Sequence, residues 1–167
     1  MEKVETERKF IVYKPDPEVL KLYPSYTESR ITQIYLNNEA MTHRVRRREY
    51  TSGITELTEN KKVRINGMSA YESERTVSEE EFAELAANIE VGASPLCKTR
   101  RTVEIGGLVY EFDSYDDWKE TCIMEVELEG ENCELPIPTF VRIVREVTGI
   151  KAYSNHSMAH SFPKEEI

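Results

Sequence analysis

Met124-Glu125-Val126-Glu127-Leu128-Glu129 alternates apolar and acidic residues without a break. That is the period of an extended strand, whose successive side chains point to opposite faces. Met124, Val126 and Leu128 supply an apolar face suited to a core, while the other face carries only carboxylates. Like charges along one strand repel unless opposite charge lies close by.

The same habit recurs upstream. Residues 3–13 carry Glu5, Glu7 and Lys9 on one side, and 42–50 carry Arg44, Arg46 and Arg48. Residues 71–77 present Glu72 and Glu74, 96–105 present Lys98, Arg100 and Glu104, and 108–116 present Glu111 and Asp113. With 31–37, 54–65 and 122–129 the alternation predicts eight strands. Thr51 to Ile54 reads as a hairpin turn, and Gly106-Gly107 as another, since both glycines accept positive φ. Three helices are expected. Asp16-Pro17 caps and opens a short one reaching Tyr23, and Ser78 to Glu81 forms a capping box before Phe82, Leu85, Ala86 and Ile89. Phe140, Ile143, Val144 and Val147 recur at helical spacing with Gly149 as a stop, which predicts a third helix packed outside the sheet. The expected fold is α+β: a closed, eight-stranded antiparallel β-barrel with a few flanking helices, a single domain over 1–167.

Acids outnumber bases by 31 to 22, for a net charge of −9, which argues against a nucleic-acid partner. Three cysteines without a CxxC pair suggest neither a disulfide framework nor a thiolate zinc site. The first ten residues hold no apolar leader and no stretch reaches membrane-spanning length, so a soluble cytoplasmic protein without a membrane partner is expected.

Closing the strands into a barrel turns every ionic face into one lumen. Such a lumen is not a dry core, because each unpaired buried charge costs several kcal/mol. Carboxylates at i, i+2 suit a hard divalent cation, Mg²⁺ or Mn²⁺, and arginines and lysines facing them suit phosphate oxygens. The combination reads as a tunnel for metal-chelated polyphosphate.

Glu5-Thr6-Glu7-Arg8-Lys9 resembles the ExExK signature of the CYTH superfamily, the triphosphate tunnel metalloenzymes. Gln33-Ile34-Tyr35-Leu36, His43-Arg44-Val45-Arg46, Glu72-Ser73-Glu74-Arg75 and Lys98-Thr99-Arg100 resemble the following strands in order. Phe112-Asp113, Met124 to Glu129 and Glu146 to Asn155 resemble the closing ones. The resemblance implies a metal-dependent hydrolase of triphosphates. It assigns Glu5, Glu7, Asp113, Glu125 and Glu127 to the metal. Lys9, Arg44, Arg46, Arg100 and Lys151 go to the phosphates, with Lys98 as an addition. Asn60 departs from it, standing where a TxK pattern has lysine; either Lys62 substitutes, or a bulge admits Lys61.

Phosphoryl transfer needs alignment and charge neutralisation. Lys9 is the expected catalytic cation, and Glu72, Glu74 and Glu111 are candidates to orient water, with pairing to arginines the simpler role. The simplest substrate is inorganic tripolyphosphate, split to pyrophosphate and orthophosphate, since no segment rich in aromatic or amide residues reads a base. Thiamine or nucleoside triphosphates, a class IV adenylate cyclase reaction on ATP, and a non-catalytic polyphosphate-binding module are the alternatives; a homodimer is left open. His156 and His160, four residues apart, read as surface residues for want of a third metal ligand. Trp118 reads as packing under a loop, and Arg47 as solvated.

Overall fold

The computed structural model describes residues 2–167. Its elements in chain order are β1 (Glu2–Tyr13), α1 (Pro17–Leu20), β2 (Thr27–Tyr35), β3 (Thr42–Tyr50), β4 (Thr55–Arg64) and β5 (Ser69–Thr76). Then follow α2 (Glu79–Ala86), β6 (Leu96–Ile105), β7 (Leu108–Ser114), β8 (Thr121–Leu128), β9 (Ile143–Glu146), a 3₁₀ turn (Lys151–Tyr153) and α3 (Asn155–His160). The strands run β5-β4-β3-β2-β6-β7-β8-β1, and β5 pairs with β1 to close an eight-stranded antiparallel barrel. Among the described residues no helix is long and apolar enough to cross a membrane.

Register places the charges. Lys9 lies opposite Glu125 and Glu7 opposite Glu127; Arg100 faces Asp113, Arg46 faces Gln33, and Lys62 faces Glu72. Directly opposed residues share a face, so the ionic sides of the strands turn inward, except on β2, whose inward face is Ser29, Ile31, Gln33 and Tyr35. The apolar sides of β1, β6, β7 and β8 turn outward. Phe10, Val12, Val103, Phe112, Met124, Val126 and Leu128 form a core there, covered by Leu20 of α1, Phe140 and Val141. A second apolar cluster plugs the barrel: Ile11, Tyr35, Leu96, Tyr115 and Ile123 continue the inward faces and meet Trp118, Val147, Tyr153 and Met158. The lumen is therefore ionic in one part and dry in the other.

The expected helix over Phe140 to Val147 does not form. Ile143–Glu146 is instead strand β9, pairing with β1 at Phe10, Ile11 and Val12 across a register shift. The physical reason is the edge of β1. Its first residues pair with β5 only as far as Thr6, and β9 takes up the backbone groups beyond, which would otherwise be unpaired. Smaller differences follow the same logic. β2 begins at Thr27, four residues earlier than its apolar pattern, because Thr27 to Arg30 still pair with β6. α2 ends at Ala86, and Ile89 forms a bridge with Leu36. Gly149 ends no helix. It has a φ of +73° after β9, and a Cβ there would lie 3.0 Å from the Gly67 Cα, so the chain passes closely over the β4–β5 turn.

The C-terminal tail is held at the β7–β8 turn. The Trp118 indole donates to the Pro163 carbonyl at 3.0 Å and packs against Tyr115 and Phe162. Glu165 accepts from the backbone N–H groups of Lys119, Glu120 and Thr121 and from the Thr121 hydroxyl. Burial pushes its carboxyl up, but these donors outweigh burial and hold it at about 2, below its ordinary 4.5. A depressed carboxyl contributes stability above its unfolded value and loses it as pH falls through the folded value. Glu165→Gln is expected to cost about 1 kcal/mol at neutral pH, discounted for solvent. Denaturant unfolding of both proteins should show that difference shrinking from about pH 4.5 and vanishing near pH 2.

Candidate active site

The inward faces of β1, β3 and β4, Tyr35 at the end of β2, the β4–β5 turn and the 147–157 segment enclose a cavity of about 440 Å³. Glu7, Lys9, Arg44, Asn60, Lys62 and Lys151 line it. At its floor lies a desolvated ion cluster. Asp113 is fully buried; its oxygens accept from Lys98 Nζ at 2.7 Å and from two guanidinium nitrogens of Arg100 at 2.7 and 2.8 Å. Arg100 also reaches Glu111 at 2.8 Å and Glu125 at 3.5 Å. Burial works against every ion here, and pairing decides the outcome. Asp113 is pushed up by burial yet held well below the usual carboxylate range by Arg100 and Lys98. Glu125 is likewise held at about 2 by Lys9 and Lys98. Lys98 yields more, pushed down to about 8 by burial with Arg100 beside it.

Above the floor the pairing is incomplete. Lys9 Nζ is fixed by the Tyr153 carbonyl at 3.1 Å and Glu125 at 3.3 Å, and reaches Glu7 only at 4.0 Å. Burial lowers the Lys9 ammonium, but Glu125 and Glu7 raise it further and keep it charged. Burial and the neighbouring Glu125 push the Glu7 carboxyl up. Glu5 is also pushed up, by burial and by the hydrogen bond it shares with Glu72, despite Lys62 at 2.8 Å. Arg46 donates to Gln33 at 2.9 Å, and its guanidinium is lowered to about 9 by burial beside Arg44 and Arg100. The Nε donors of Arg44 and Arg46 are buried without a partner, a costly state for an N–H group. Orphaned guanidinium donors next to under-neutralised carboxylates are what an anion chelated to a hard cation would satisfy.

The expected site residues therefore converge, with distinctions. Glu7, Lys9, Arg44, Lys62 and Lys151 line the open space, Glu5 and Arg46 stand behind it against Lys62 and Gln33, and Lys98, Arg100, Asp113, Glu111 and Glu125 form a paired cluster beneath. Glu127 is half exposed at the rim, 3.5 Å from Lys3. Glu72 lies 3.7 Å from Lys62, and Glu74 accepts from Asn60 Nδ2 at 3.3 Å. Lys151 arrives from the 3₁₀ turn rather than from a strand. β4 is regular between Thr58 and Arg64, so Lys62 faces the lumen opposite Glu72, while Lys61 pairs with Ser73 and is exposed.

Several functional side chains were not singled out from the sequence. Gln33 orients Arg46 from a fully buried position, and donates to the Tyr35 hydroxyl at 2.8 Å. Their alternation with Ile31 was the available signal. Asn155 accepts from Lys98 at 3.2 Å and from the Tyr115 hydroxyl at 3.1 Å, a meeting of distant segments without a local signature. Outside the lumen, Arg47 points to solvent as expected and pairs there with Glu79 at 2.7 Å.

No protein-family model and no curated protein matches the chain. Solved structures do. The inorganic triphosphatase NE1496 is 25% identical, with a TM-score of 0.57 over 95% of this chain and 96% of that one. A further crystal structure, of the hypothetical protein NE1496, gives 25% identity and 0.55 over 95% and 99%. The PH1819 protein of Pyrococcus horikoshii OT3, at 19% identity and 0.58 over 77% and 80%, shares the fold. The barrel shares the closed eight-stranded fold of these structures, as the resemblance to the triphosphate tunnel fold implied.

The floor cluster makes a stability prediction. Asp113→Asn leaves Lys98 buried without its counter-ion and Arg100 with only Glu111 and Glu125, and a broken buried pair costs about 3–5 kcal/mol. Equilibrium denaturation should show a loss of that size, with the far-ultraviolet circular dichroism of the remaining folded fraction unchanged.

Proposed function

We propose that this protein hydrolyses a small triphosphate, inorganic tripolyphosphate foremost, to pyrophosphate and orthophosphate. The observation that carries the reading is the pair of orphaned Nε donors of Arg44 and Arg46, buried in the same lumen as the crowded carboxylates Glu5 and Glu7. The 25% identity to an inorganic triphosphatase over nearly the full length of both chains supports the same class.

The oxygen-only donor set fits a hard divalent cation, Mg²⁺ or Mn²⁺. Glu5 and Glu7 would hold it, with Glu127 at the rim and Glu125 and Asp113 behind. Once bound, it supplies charge neutralisation and polarisation at the phosphate oxygens. The chain's own residues do the rest. Arg44 and Arg46 grip phosphate oxygens with planar forks, and Gln33 keeps Arg46 from rotating away. Lys62 and Lys151 extend the positive lining toward the mouth, while Lys98 and Arg100 set the potential from below. Lys9, held by Tyr153 and Glu125, neutralises charge that develops as the phosphoanhydride bond breaks. Glu111 is taken by Arg100, and Glu72 is shared with Glu5 and Lys62, which leaves Glu74 to orient the attacking water. Water's oxygen joins the terminal phosphorus, the bridging oxygen leaves with pyrophosphate, and the proton passes to the carboxylate.

Orthophosphate release from tripolyphosphate in Mg²⁺ or Mn²⁺ tests the proposal. Lys9→Ala should be slower by about a hundredfold, one lost transition-state contact of ~3 kcal/mol. Glu7→Gln and excess chelator should each remove most activity without unfolding the protein. Arg46→Lys keeps charge but loses the fork, so KM should rise more than kcat falls. Cyclic AMP and pyrophosphate from ATP would replace the reading with a cyclase, and tight tripolyphosphate binding without turnover would reduce it to a binding module.

A further inference from the structure

His156 and His160 lie one turn apart on α3 and share a face of it. The third ligand that their sequence neighbourhood lacks is supplied by the loop after α2. His156 Nε2 lies 2.8 Å from one oxygen of Glu90, and His160 Nε2 lies 3.2 Å from the other. The three donor groups offer atoms all within 4.8 Å of one another. We propose that Glu90, His156 and His160 form a second metal site, for zinc or a similar borderline transition ion, that clips the 88–94 loop to α3 at the rim of the tunnel.

Two imidazoles and one carboxylate are a common zinc donor set, with water completing four-coordination. Tetrahedral bonds of ~2.0–2.1 Å separate ligand atoms by about 3.3 Å. Measured to the two different Glu90 oxygens, the His160 contact is close to that spacing and the His156 contact needs to widen by about half an ångström. All three side chains are about one-third exposed, so there is room for the adjustment and a path for the ion.

The backbone behind the ligands is held independently of any ion. Leu36 bridges Ile89, and the Glu90 N–H donates to the Tyr35 carbonyl at 2.8 Å. Ser94 N–H donates to the Ala159 carbonyl at 2.9 Å, tying the loop to α3. Ser154 caps α3 by accepting from the Ser157 N–H. The His156 ring packs on Tyr35 at 5.1 Å and meets the His160 ring edge-on at 5.3 Å. At Gly92 a φ of +85° turns the loop, and a Cβ there would stand 3.5 Å from His160 Nδ1. Ligands held this way lose little freedom on binding.

Chemistry separates this site from the tunnel. Imidazole nitrogens select borderline ions, whereas the all-oxygen tunnel suits Mg²⁺ or Mn²⁺. The clip also bears on the tunnel, because α3 begins with Asn155, the acceptor for Lys98, and His156 borders the cavity. The inference does not rest on the triphosphatase reading and survives its failure.

The test uses the full chain, stripped with chelator and held in excess Mg²⁺ so that the tunnel acids are occupied. Zinc is titrated in by competition with a chromophoric chelator, and Co²⁺ serves as a spectroscopic probe. One zinc per chain is expected, with the strong visible bands of four-coordinate Co²⁺. Glu90→Gln and His160→Ala should each weaken zinc by about a hundredfold, the upper range for losing even a supporting contact. Zinc should raise the melting temperature of the wild type and not of His156→Ala/His160→Ala. Wild-type NMR avoids dependence on variants: zinc should shift the ring resonances of His156 and His160 and leave His43 in place. Unchanged zinc affinity in the double variant, absence of binding, or shifts confined to His43 would overturn the site.

Discussion

Asp113 has no exposure to solvent, and both of its oxygens are held by cations that are themselves buried, Lys98 and Arg100. Much of the interior depends on this cluster. It lets the barrel keep charge inside at all, because each ion's desolvation cost is met by short contacts to opposite charge on neighbouring strands. It also sets direction. Charges satisfied at the floor have little left to offer a ligand, while those above remain under-neutralised and available. Arg100 joins the levels, bonding to Asp113 and Glu111 while contributing to the positive field that lowers Arg46.

That division makes a binding site out of a β-barrel interior. The plug of Ile11, Tyr115, Trp118 and Tyr153 closes part of the lumen with apolar contacts and keeps water from the ionic floor. Low dielectric strengthens each pair beneath the cavity and raises the cost of each unpaired donor facing it. The arginine Nε groups are then the chain's unmet demand, and the crowded glutamates are the complementary one. An anion alone would aggravate the glutamates and a cation alone the arginines, so a chelated anion would relieve both.

The alternation of acids and bases was readable because a closed sheet converts a two-residue period into inside and outside. Glu125 and Glu127 against Met124, Val126 and Leu128 already state which way β8 faces, and the same parity places Lys9, Arg46 and Arg100. It even separates Lys62 from Lys61, once β4 is known to be regular. The departures arise where a residue's role depends on a remote edge. Phe140, Ile143, Val144 and Val147 fit a helical stripe by spacing, yet β1 presents backbone groups that β5 does not reach, and a strand satisfies them where a helix cannot.

By itself the sequence determined the eight barrel strands, their faces and the ionic character of the lumen, since these follow from local periodicity and from the repulsion of like charges. Tertiary structure alone decided which charges are spent on one another and which are left for a ligand. It brought Asn155 to Lys98, Gln33 to Arg46, and Glu90 between two histidines. The first and last join segments far apart in the chain through loop docking, and the second depends on the register of neighbouring strands. Burial then assigns each group its protonation and its pairing, and neither can be read from a residue's own neighbours.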